Sequence, residues 1–441
     1  MKPRKEPPTT TGHNGADRTD GADPTDGVDL PGRAEPEAPV PDFPLDRAPD
    51  RPLDPPPAYA RLRAERPLSR VRLWNGDDVW LVVRYEDQRA ILSDTRFSAD
   101  PTLPGYPQQS AAVAMVSRMQ RDARPFATLD GEEHAFHRRM LVPEFTARRM
   151  RALRPAIEAF VEQLLDAMAA KGPEADLVEA YALPLPSLTI CQLLGVPYQD
   201  HALFQRLAEV LVSRLSSKEQ AMAAGQELNS YLDWLIGFKG ERPGDDIVSR
   251  LVAEQLRDGR ISRARLISTA RLLLHAGHET TAHQIALGTL ELLRNPDQLA
   301  QLRDTADPAL VESAVDELLR RLSITHAGRR RVALADVSVA GRLIRAGEGV
   351  VLPPESANHD AAVFDGPDRL DLRRPARPPH LAFGHGPHQC IGRTLARLEL
   401  QVAHPALLRR FPRLRLATAF EELPFRHDML IYGVHALPVT W

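Results

Sequence analysis

The chain has 441 residues, 43% of them hydrophobic and 26% charged, which is enough to bury a large core in one big domain or two modest ones. The formal net charge is only −3, which argues against a strongly basic nucleic-acid-binding surface. Aromatic residues make up 5%, so helix formers outweigh the residues typical of sheets. No apolar run is long enough to span a bilayer or to act as a secretory signal, so we expect a cytoplasmic protein.

The first 50 residues differ from the rest in composition. They hold 6 Lys and Arg against 11 Asp and Glu, and they are rich in Pro, Asp, Gly and Thr with almost no large apolar side chains. Such a segment buries too little surface to offset the entropy lost on ordering. We therefore predict a disordered acidic tail over residues 1–50 and one folded domain over residues 51–441.

Apolar periodicity predicts the elements of the folded part. Two short apolar segments flank Asn75–Gly76 and predict a β-hairpin near its start. Apolar residues spaced three and four apart over residues 153–165 and 266–274 predict core helices. Residues 329–351 form a second strand-rich stretch, and a helix is predicted after Cys390. The fold class is mainly α with small β-sheets.

The two cysteines, Cys191 and Cys390, lie about two hundred residues apart with no C-x-x-C spacing. A disulfide framework and a structural zinc cluster are therefore disfavoured. Cys191, within the apolar segment S-L-T-I-C-Q-L-L, is interpreted as an ordinary buried small residue.

Cys390 stands in a different setting, the segment F-G-H-G-P-H-Q-C-I-G at residues 383–392, just before a predicted helix. The N-terminus of a helix carries partial positive charge, which favours the thiolate form of a nearby cysteine. Gly384 and Gly386 allow a tight loop with positive φ, and Gly392 lets backbone approach a flat ligand. This pattern predicts a thiolate ligand for a metal.

Residues 272–281, L-L-L-H-A-G-H-E-T-T, place polar groups in the middle of an apolar helix. A threonine in a helix can donate to a preceding carbonyl and open the helix locally, leaving a groove for dioxygen and water. Alternatively, Glu279 and Thr280 only satisfy a kink. A zinc-hydrolase motif is disfavoured, because it needs histidines at i and i+4, and here the second histidine comes five residues after the first.

Glu317 and Arg320 are three residues apart on a predicted helix and so share one face. By itself this is an ordinary surface ion pair.

Together these motifs resemble those of the cytochrome P-450 family. Its pattern F-x-x-G-x-x-x-C-x-G is matched by Phe383, Gly386, Cys390 and Gly392. Its oxygen-helix pattern A/G-G-x-D/E-T-T is matched by Ala276, Gly277, Glu279, Thr280 and Thr281. The resemblance implies one large P-450 type fold, in which haem b (iron protoporphyrin IX) lies between the oxygen helix and the cysteine-loop helix. It implies Cys390 as the axial ligand of the iron and a proton-delivery role for Glu279 and Thr280.

The resemblance extends to residues that would hold the haem and the core. It implies propionate contacts from His134, Arg138, Arg331 and His380, with the position of the arginine open among Arg329, Arg330 and Arg331. Taken singly, each of these could instead be a solvated charge. It also implies a structural network of Glu317, Arg320 and Arg369.

The implied activity is a monooxygenase that hydroxylates or epoxidises a bulky apolar molecule with dioxygen. The sequence also resembles actinobacterial members of the family that tailor secondary metabolites, so we expect a macrolide or other polyketide substrate.

No G-x-G-x-x-G opens a helix after a strand, so the chain shows no flavin or nicotinamide site of its own. We therefore expect electrons from a ferredoxin and its NAD(P)H-dependent reductase. The docking surface is expected on the cysteine side, near Arg138 or Arg139, Arg393 and Arg397. The expected substrate-lining residues are those of the 100–120 loop and Val210–Leu215, with Ala276, Ile324, Thr325, Met429 and Leu430.

Three other functions stay open at this point. A haem protein for gas sensing or electron transfer would share the Cys390 loop but would have no use for Glu279 and Thr280. A metal hydrolase could be built on the oxygen helix. A non-catalytic scaffold could recruit biosynthetic partners.

Overall fold

A computed structural model describes residues 40–119, 123–212, 216–427 and 429–441. Helices dominate these residues, which confirms the predicted fold class. The helices are α1 (Ala58–Glu65), α2 (Tyr85–Ser93), α3 (Ala111–Met119), α4 (Gly131–Leu141), α5 (Ala147–Lys171), α6 (Pro184–Leu194), α7 (His201–Val212), α8 (Lys218–Glu241), α9 (Ile247–Leu251), α10 (Arg263–Arg294), α11 (Pro296–Asp304), α12 (Pro308–Arg321), α13 (Pro354–Asn358) and α14 (Arg393–Arg410).

Short strands form three small sheets. The strands are β1 (Leu68–Arg72), β2 (Asp78–Val82), β3 (Phe97–Ser98), β4 (Glu174–Asp176), β5 (Arg329–Ala333), β6 (Val337–Val339), β7 (Arg342–Ile344), β8 (Gly349–Leu352), β9 (Arg415–Leu416) and β10 (Pro438–Thr440). The five-stranded sheet has the order β1-β2-β8-β5-β3, and the other two have the orders β4-β10-β9 and β6-β7. The predicted hairpin is β1 and β2, which pair antiparallel around Gly76 at φ +86°.

Helix α10 is the central element of the core. Its start is fixed by Ser262, whose hydroxyl accepts from the Arg265 N–H at 3.1 Å. From Thr281 onward it is buried on nearly every side, and along its whole length it packs against α6, α8 and α14. Within the described ranges no helix is long and apolar enough to cross a membrane.

The folded domain begins earlier than the sequence predicted. Phe43 is buried, and its N–H donates to the Arg72 carbonyl at 2.8 Å. Arg47 pairs with the buried carboxylate of Glu355, and its guanidinium lies 4.1 Å from the centre of the Tyr432 ring. Residues 40–50 therefore belong to the domain, because these few side chains bury well despite the polar composition around them. The rest of the predicted tail, residues 1–39, lies outside the described residues.

The predicted core network forms around Glu317 with a different third member. Arg320 donates to both Glu317 carboxylate oxygens, at 2.7 and 2.9 Å, and both side chains are buried. Arg374 completes the network, with its Nε 2.9 Å from Glu317 Oε2. The prediction of Arg369 is wrong, because that side chain is 74% exposed and its only ion pair in the described residues is with Asp371 at 3.4 Å.

Removing the Glu317 charge should destabilise the protein strongly. We expect Glu317→Gln to lower the free energy of unfolding by about 3–5 kcal/mol, because two guanidinium groups would lose their buried counter-charge. Urea unfolding followed by circular dichroism measures the change. The control Arg369→Gln should stay within about 0.5 kcal/mol of the parent. A greater loss for Arg369→Gln than for Glu317→Gln would contradict the assignment.

Candidate active site

The loop before α14 has a conformation that only glycine permits at two positions. Gly384 and Gly386 have φ of +72° and +69°, in the left-handed region. A side chain at 386 would also collide with the carbonyl oxygen of Leu92. The turn closes when the Cys390 N–H donates to the Phe383 carbonyl at 2.9 Å. The glycines thus fix the position of the cysteine, as the sequence predicted.

Cys390 is solvent-exposed, and it lines a cavity that lies behind the loop. A Cβ on Gly392 would stand 4.0 Å from the Cys390 sulfur, within van der Waals contact, and Gly392 lines the same cavity. Burial raises the pKa of the Cys390 thiol, while the Gly392 N–H and the charges of Arg329, Arg138 and Arg393 oppose that rise. The positive groups gathered around the sulfur favour its anionic form.

Helix α10 forms one wall of the cavity that Cys390 lines, and Thr280 belongs to that wall. The Thr280 hydroxyl donates to the Ala276 carbonyl at 2.6 Å, the back-bond expected from the sequence. The expected opening of the helix is absent within Arg263–Arg294, which is a continuous α-helix. Gly277 instead serves close packing, since a Cβ there would lie 2.9 Å from Ile190 Cδ1 of α6.

Glu279 does not join Thr280 on the cavity wall. Successive helical residues point about 100° apart, and the Glu279 side chain turns into the protein. Its carboxylate lies 3.2 Å from Arg426 Nη1 and 3.4 Å from His283 Nε2, and all three side chains are buried. Burial and the Arg426 charge hold the pKa of His283 well below its usual range, so the imidazole is neutral. No motif in the sequence indicated Arg426 or His283, because they meet Glu279 only through the tertiary fold.

A pair of stacked imidazoles adjoins the cysteine loop. The His134 and His388 rings are 4.1 Å apart, and His388 Nε2 lies 3.7 Å from Asp130. Burial and nearby positive charges, that of His388 first, lower the pKa of His134 to about 4. His134 Nε2, His388 Nδ1 and Arg329 Nε are shielded from solvent and have no hydrogen-bond partner within the described residues. Polar atoms left in this state indicate a place for a polar ligand group.

The three consecutive arginines of β5 do not all point the same way, because successive side chains of a strand lie on opposite faces. Arg329 lines the cavity and donates to the Ala382 carbonyl at 2.7 Å, and burial lowers its pKa to about 10. Arg331 lies on the same side, buried near Asp130 and Tyr106. Arg330 points to the other side, toward the carbonyl of Pro107 at 3.1 Å. Two arginines of the triplet thus face the cysteine-loop side of the strand.

His380 lies apart from these groups. Its ring packs beside Asp316, with Nε2 3.6 Å from the carboxylate, and Asp316 also pairs with Arg397 at 2.6 Å. It lines a separate small cavity next to the Glu317 network. The structure therefore favours His388 over His380 as a haem contact. The sequence did contain a signal for His388, because this residue lies two positions before Cys390 within the cysteine loop.

Several of the expected substrate-lining residues do surround the cavity. Ala276, Ile324 and Thr325 line it together with Thr280 and Cys390. Met429 is buried elsewhere, with its carbonyl 2.8 Å from His326 Nε2, and neither it nor Leu430 lines this cavity. Residues 213–215 of the expected Val210–Leu215 wall lie outside the described residues.

The features of the site fit haem b. A sulfur donor stands on one wall with free space in front of it, apolar side chains form most of the lining, and basic side chains with unused polar atoms flank the cysteine loop. A flat apolar ring with two carboxylates would meet each of these needs. In the part of the chain that the structure describes, no three His, Cys, Asp or Glu side chains converge to hold a metal ion.

Comparison with known proteins gives the family. The Cytochrome P450 family profile matches residues 193–418. The chain belongs to the cytochrome P450 family. It is 50% identical over 398 residues to cytochrome P450-SU2 of Streptomyces griseolus, covering 90% of this chain and 96% of that protein. It is 45% identical over 393 residues to the 20-oxo-5-O-mycaminosyltylactone 23-monooxygenase of Streptomyces fradiae, covering 88% and 90%.

A solved structure confirms the fold of this P450. The mycinamicin VIII C21 methyl hydroxylase of Micromonospora griseorubida, bound to mycinamicin VIII, is 41% identical and superposes with a TM-score of 0.84, covering 91% of this chain and all of the other. P450 enzymes are haem b monooxygenases. The enzyme class and the cofactor expected from the sequence are thus confirmed.

Proposed function

We propose that this P450 hydroxylates or epoxidises a bulky apolar small molecule, a macrolide or other polyketide of secondary metabolism. The observation that carries the proposal is the largely apolar cavity bounded by Cys390 and Thr280, which would take the haem beside the sulfur and an apolar substrate on the Thr280 side. The names of the tylactone monooxygenase and the mycinamicin hydroxylase point to macrolide substrates among similar enzymes.

In this proposal the protein ligates the haem iron, holds the haem in place and supplies protons. Cys390 would ligate the haem iron, and His134, His388, Arg138 and Arg331 would hold its propionates. Bound haem b supplies the chemistry that activates dioxygen.

The proton supply comes from α10. The Thr280 hydroxyl donates a hydrogen bond to the Ala276 carbonyl. By rotating, the same hydroxyl can direct its proton into the cavity. Glu279 can replenish it once its carboxylate leaves Arg426 and takes up a proton from solvent, which it then passes to the Thr280 oxygen. This two-residue supply also argues against gas sensing or electron transfer alone as the function, since neither needs it.

Electrons come from a ferredoxin and an NAD(P)H-dependent ferredoxin reductase. Arg139 and Arg393 are exposed on the cysteine side and can meet an acidic partner. Arg397, also expected there, is engaged by Asp316 and is less available.

Substrate titration tests the proposal directly. We expect macrolides from a panel of polyketides to shift the haem spectrum of the purified holoenzyme, whereas small hydrocarbons of similar polarity should bind weakly. Mass spectrometry should then find one added oxygen atom only when ferredoxin, reductase and NAD(P)H are all present. The substrate assignment fails if no macrolide or polyketide perturbs the spectrum.

A further inference from the structure

Arg426, the ion-pair partner of Glu279, lies on a loop between β9 and β10. We call residues 425–434 the Arg426 loop. The Arg426 N–H donates to the Gly433 carbonyl at 2.9 Å, so the two sides of the loop run next to each other at this point. A side chain on a loop is held less firmly than one on a packed helix. The position of the Glu279 counter-charge therefore depends on the contacts that hold this loop.

The Arg426 loop lies directly against α10. Besides the Glu279 carboxylate, Arg426 Nη1 contacts His283 Nε2, and all three side chains are buried. Gly433 packs on the same imidazole, because a Cβ added there would collide with the His283 ring. The loop thus meets the surface of α10 that carries Glu279 at two neighbouring points, and any shift of the loop moves the counter-charge with it.

Tyr432, the residue before Gly433, fastens the loop to two other parts of the chain. Its side chain is buried, and its hydroxyl donates to the Pro52 carbonyl at 2.9 Å. Its N–H donates to the Ile324 carbonyl at 2.8 Å. Its ring stacks on that of Phe425, at the start of the same loop, with the ring centres 6.1 Å apart. The position of the Tyr432 ring and the position of the loop are therefore set together.

Arg47 holds the Tyr432 ring from the amino-terminal segment. Its guanidinium lies 4.1 Å from the ring centre, and the same group pairs with the Glu355 carboxylate and donates to the Asp54 carbonyl. The Arg47 and Glu355 side chains are only 6% and 3% exposed, so solvent and salt screen these contacts little. A cation over an aromatic face attracts it most strongly when it is desolvated. The amino-terminal segment therefore reaches the Arg426 loop through one buried cation.

We propose that Arg47 is a positioning residue for proton delivery, because it fixes the Arg426 loop through the Tyr432 ring. The loop in turn fixes the place from which Glu279 reaches Thr280 when the ion pair opens. The inference rests on the proposed proton supply and adds to it a residue of the amino-terminal segment. If the loop shifts, the Glu279 carboxylate no longer starts from one place, and fewer of its positions lie within reach of the alcohol.

The products of oxygen reduction test the proposal without a substrate or a ferredoxin. An electrode supplies electrons to the adsorbed, haem-loaded enzyme, and hydrogen peroxide is measured against the dioxygen consumed. Each dioxygen leaves as hydrogen peroxide after taking up two electrons and two protons, or as two waters after taking up four of each. Poorer proton delivery therefore lowers the ratio of water to peroxide.

We expect Arg47→Met to lower the water-to-peroxide ratio about threefold, and Tyr432→Leu to do the same. Arg47→Lys keeps the cation and Tyr432→Phe keeps the ring, so each should stay within about 1.5-fold of the parent. Arg47→Met combined with Glu355→Gln removes the cation without leaving a buried carboxylate unpaired. This double variant replaces Arg47→Met if the single variant does not bind haem.

A double-variant cycle shows whether the effect passes through the Arg426 loop. When Arg426→Gln has already removed the counter-charge, Arg47→Met should change the ratio by less than about 1.5-fold further. Arg70→Met is the matched control, because Arg70 also lies over an aromatic ring, 3.8 Å from the centre of Trp80, and also pairs with a carboxylate, that of Glu348. This control should keep the parent ratio.

The proposal is overturned if Arg47→Met keeps the parent ratio, if its effect persists undiminished in the Arg426→Gln background, or if Arg70→Met loses as much. Glu279→Gln separates this failure from that of the proposed function. If Glu279→Gln lowers the ratio and Arg47→Met does not, only the positioning role fails. If Glu279→Gln keeps the parent ratio, the proposed proton supply fails and the positioning role fails with it. The variants compared are those whose carbon monoxide spectrum retains the thiolate band.

Discussion

Replacing Cys390 with serine should abolish the thiolate signature of this P450 completely. The sulfur is the ligand donor that faces the free space of the cavity, and serine offers a far weaker oxygen donor at the same place. We expect the reduced, carbon monoxide-treated Cys390→Ser protein to lack the red-shifted Soret band and to show no monooxygenase turnover.

The second cysteine provides the control for this experiment. Cys191 is buried in α6, and burial raises its pKa to about 12, so its thiol is inert. Cys191→Ala should keep the Soret band and the activity. A Cys390→Ser protein that kept the thiolate band, or a Cys191→Ala protein that lost it, would show that the wrong cysteine has been assigned.

Replacing Thr280 with alanine should separate oxygen reduction from product formation. The hydroxyl is a proton donor on the cavity wall, and without it reduced oxygen should leave as hydrogen peroxide. We expect the yield of product per dioxygen consumed to fall at least about tenfold, with peroxide rising to match, while substrate affinity changes little. Oxygen uptake, peroxide and product are measured in one reaction.

Thr269→Ala is the matched control, because Thr269 makes the same kind of back-bond. Its hydroxyl donates to the Arg265 carbonyl at 2.9 Å, and it lies on the same helix but does not line the cavity. Coupling in this variant should equal that of the parent. If Thr280→Ala were as tightly coupled as Thr269→Ala, the proton-delivery role would have to be abandoned.

Local patterns in the sequence predicted those parts of the site that depend on neighbouring residues. The tight loop before Cys390 needs left-handed backbone at two positions, and the glycines there permit it, while the hairpin at Gly76 follows from turn chemistry. The bond from Thr280 to Ala276 needs only a helix. Each of these features is determined by residues that are close together in the sequence, so it can be predicted without knowledge of the fold.

The errors arose where distant segments meet. Nothing in the spacing of the irregular segment showed that Arg374, and not Arg369, folds back to Glu317. The choice of His388 over His380 depends on a ring stacked against His134 from another helix. Both cases concern long side chains whose partners are set by tertiary packing.

The orientation of Glu279 is the most consequential feature beyond the reach of the sequence. The sequence places its carboxylate next to Thr280, whereas the fold directs it to Arg426, 147 residues away in the chain. The proposed proton delivery would therefore require this ion pair to open, and the acid and the alcohol would act in succession and not as a preformed pair.

The carbon monoxide spectrum of the reduced parent enzyme tests the central claim most directly. The purified protein is loaded with haem, reduced and treated with carbon monoxide. A thiolate-ligated iron gives the red-shifted Soret band of a P450, and we predict that band as the dominant species. A spectrum typical of histidine or other neutral ligation in the folded, haem-loaded protein would contradict the assignment of Cys390 as the axial ligand.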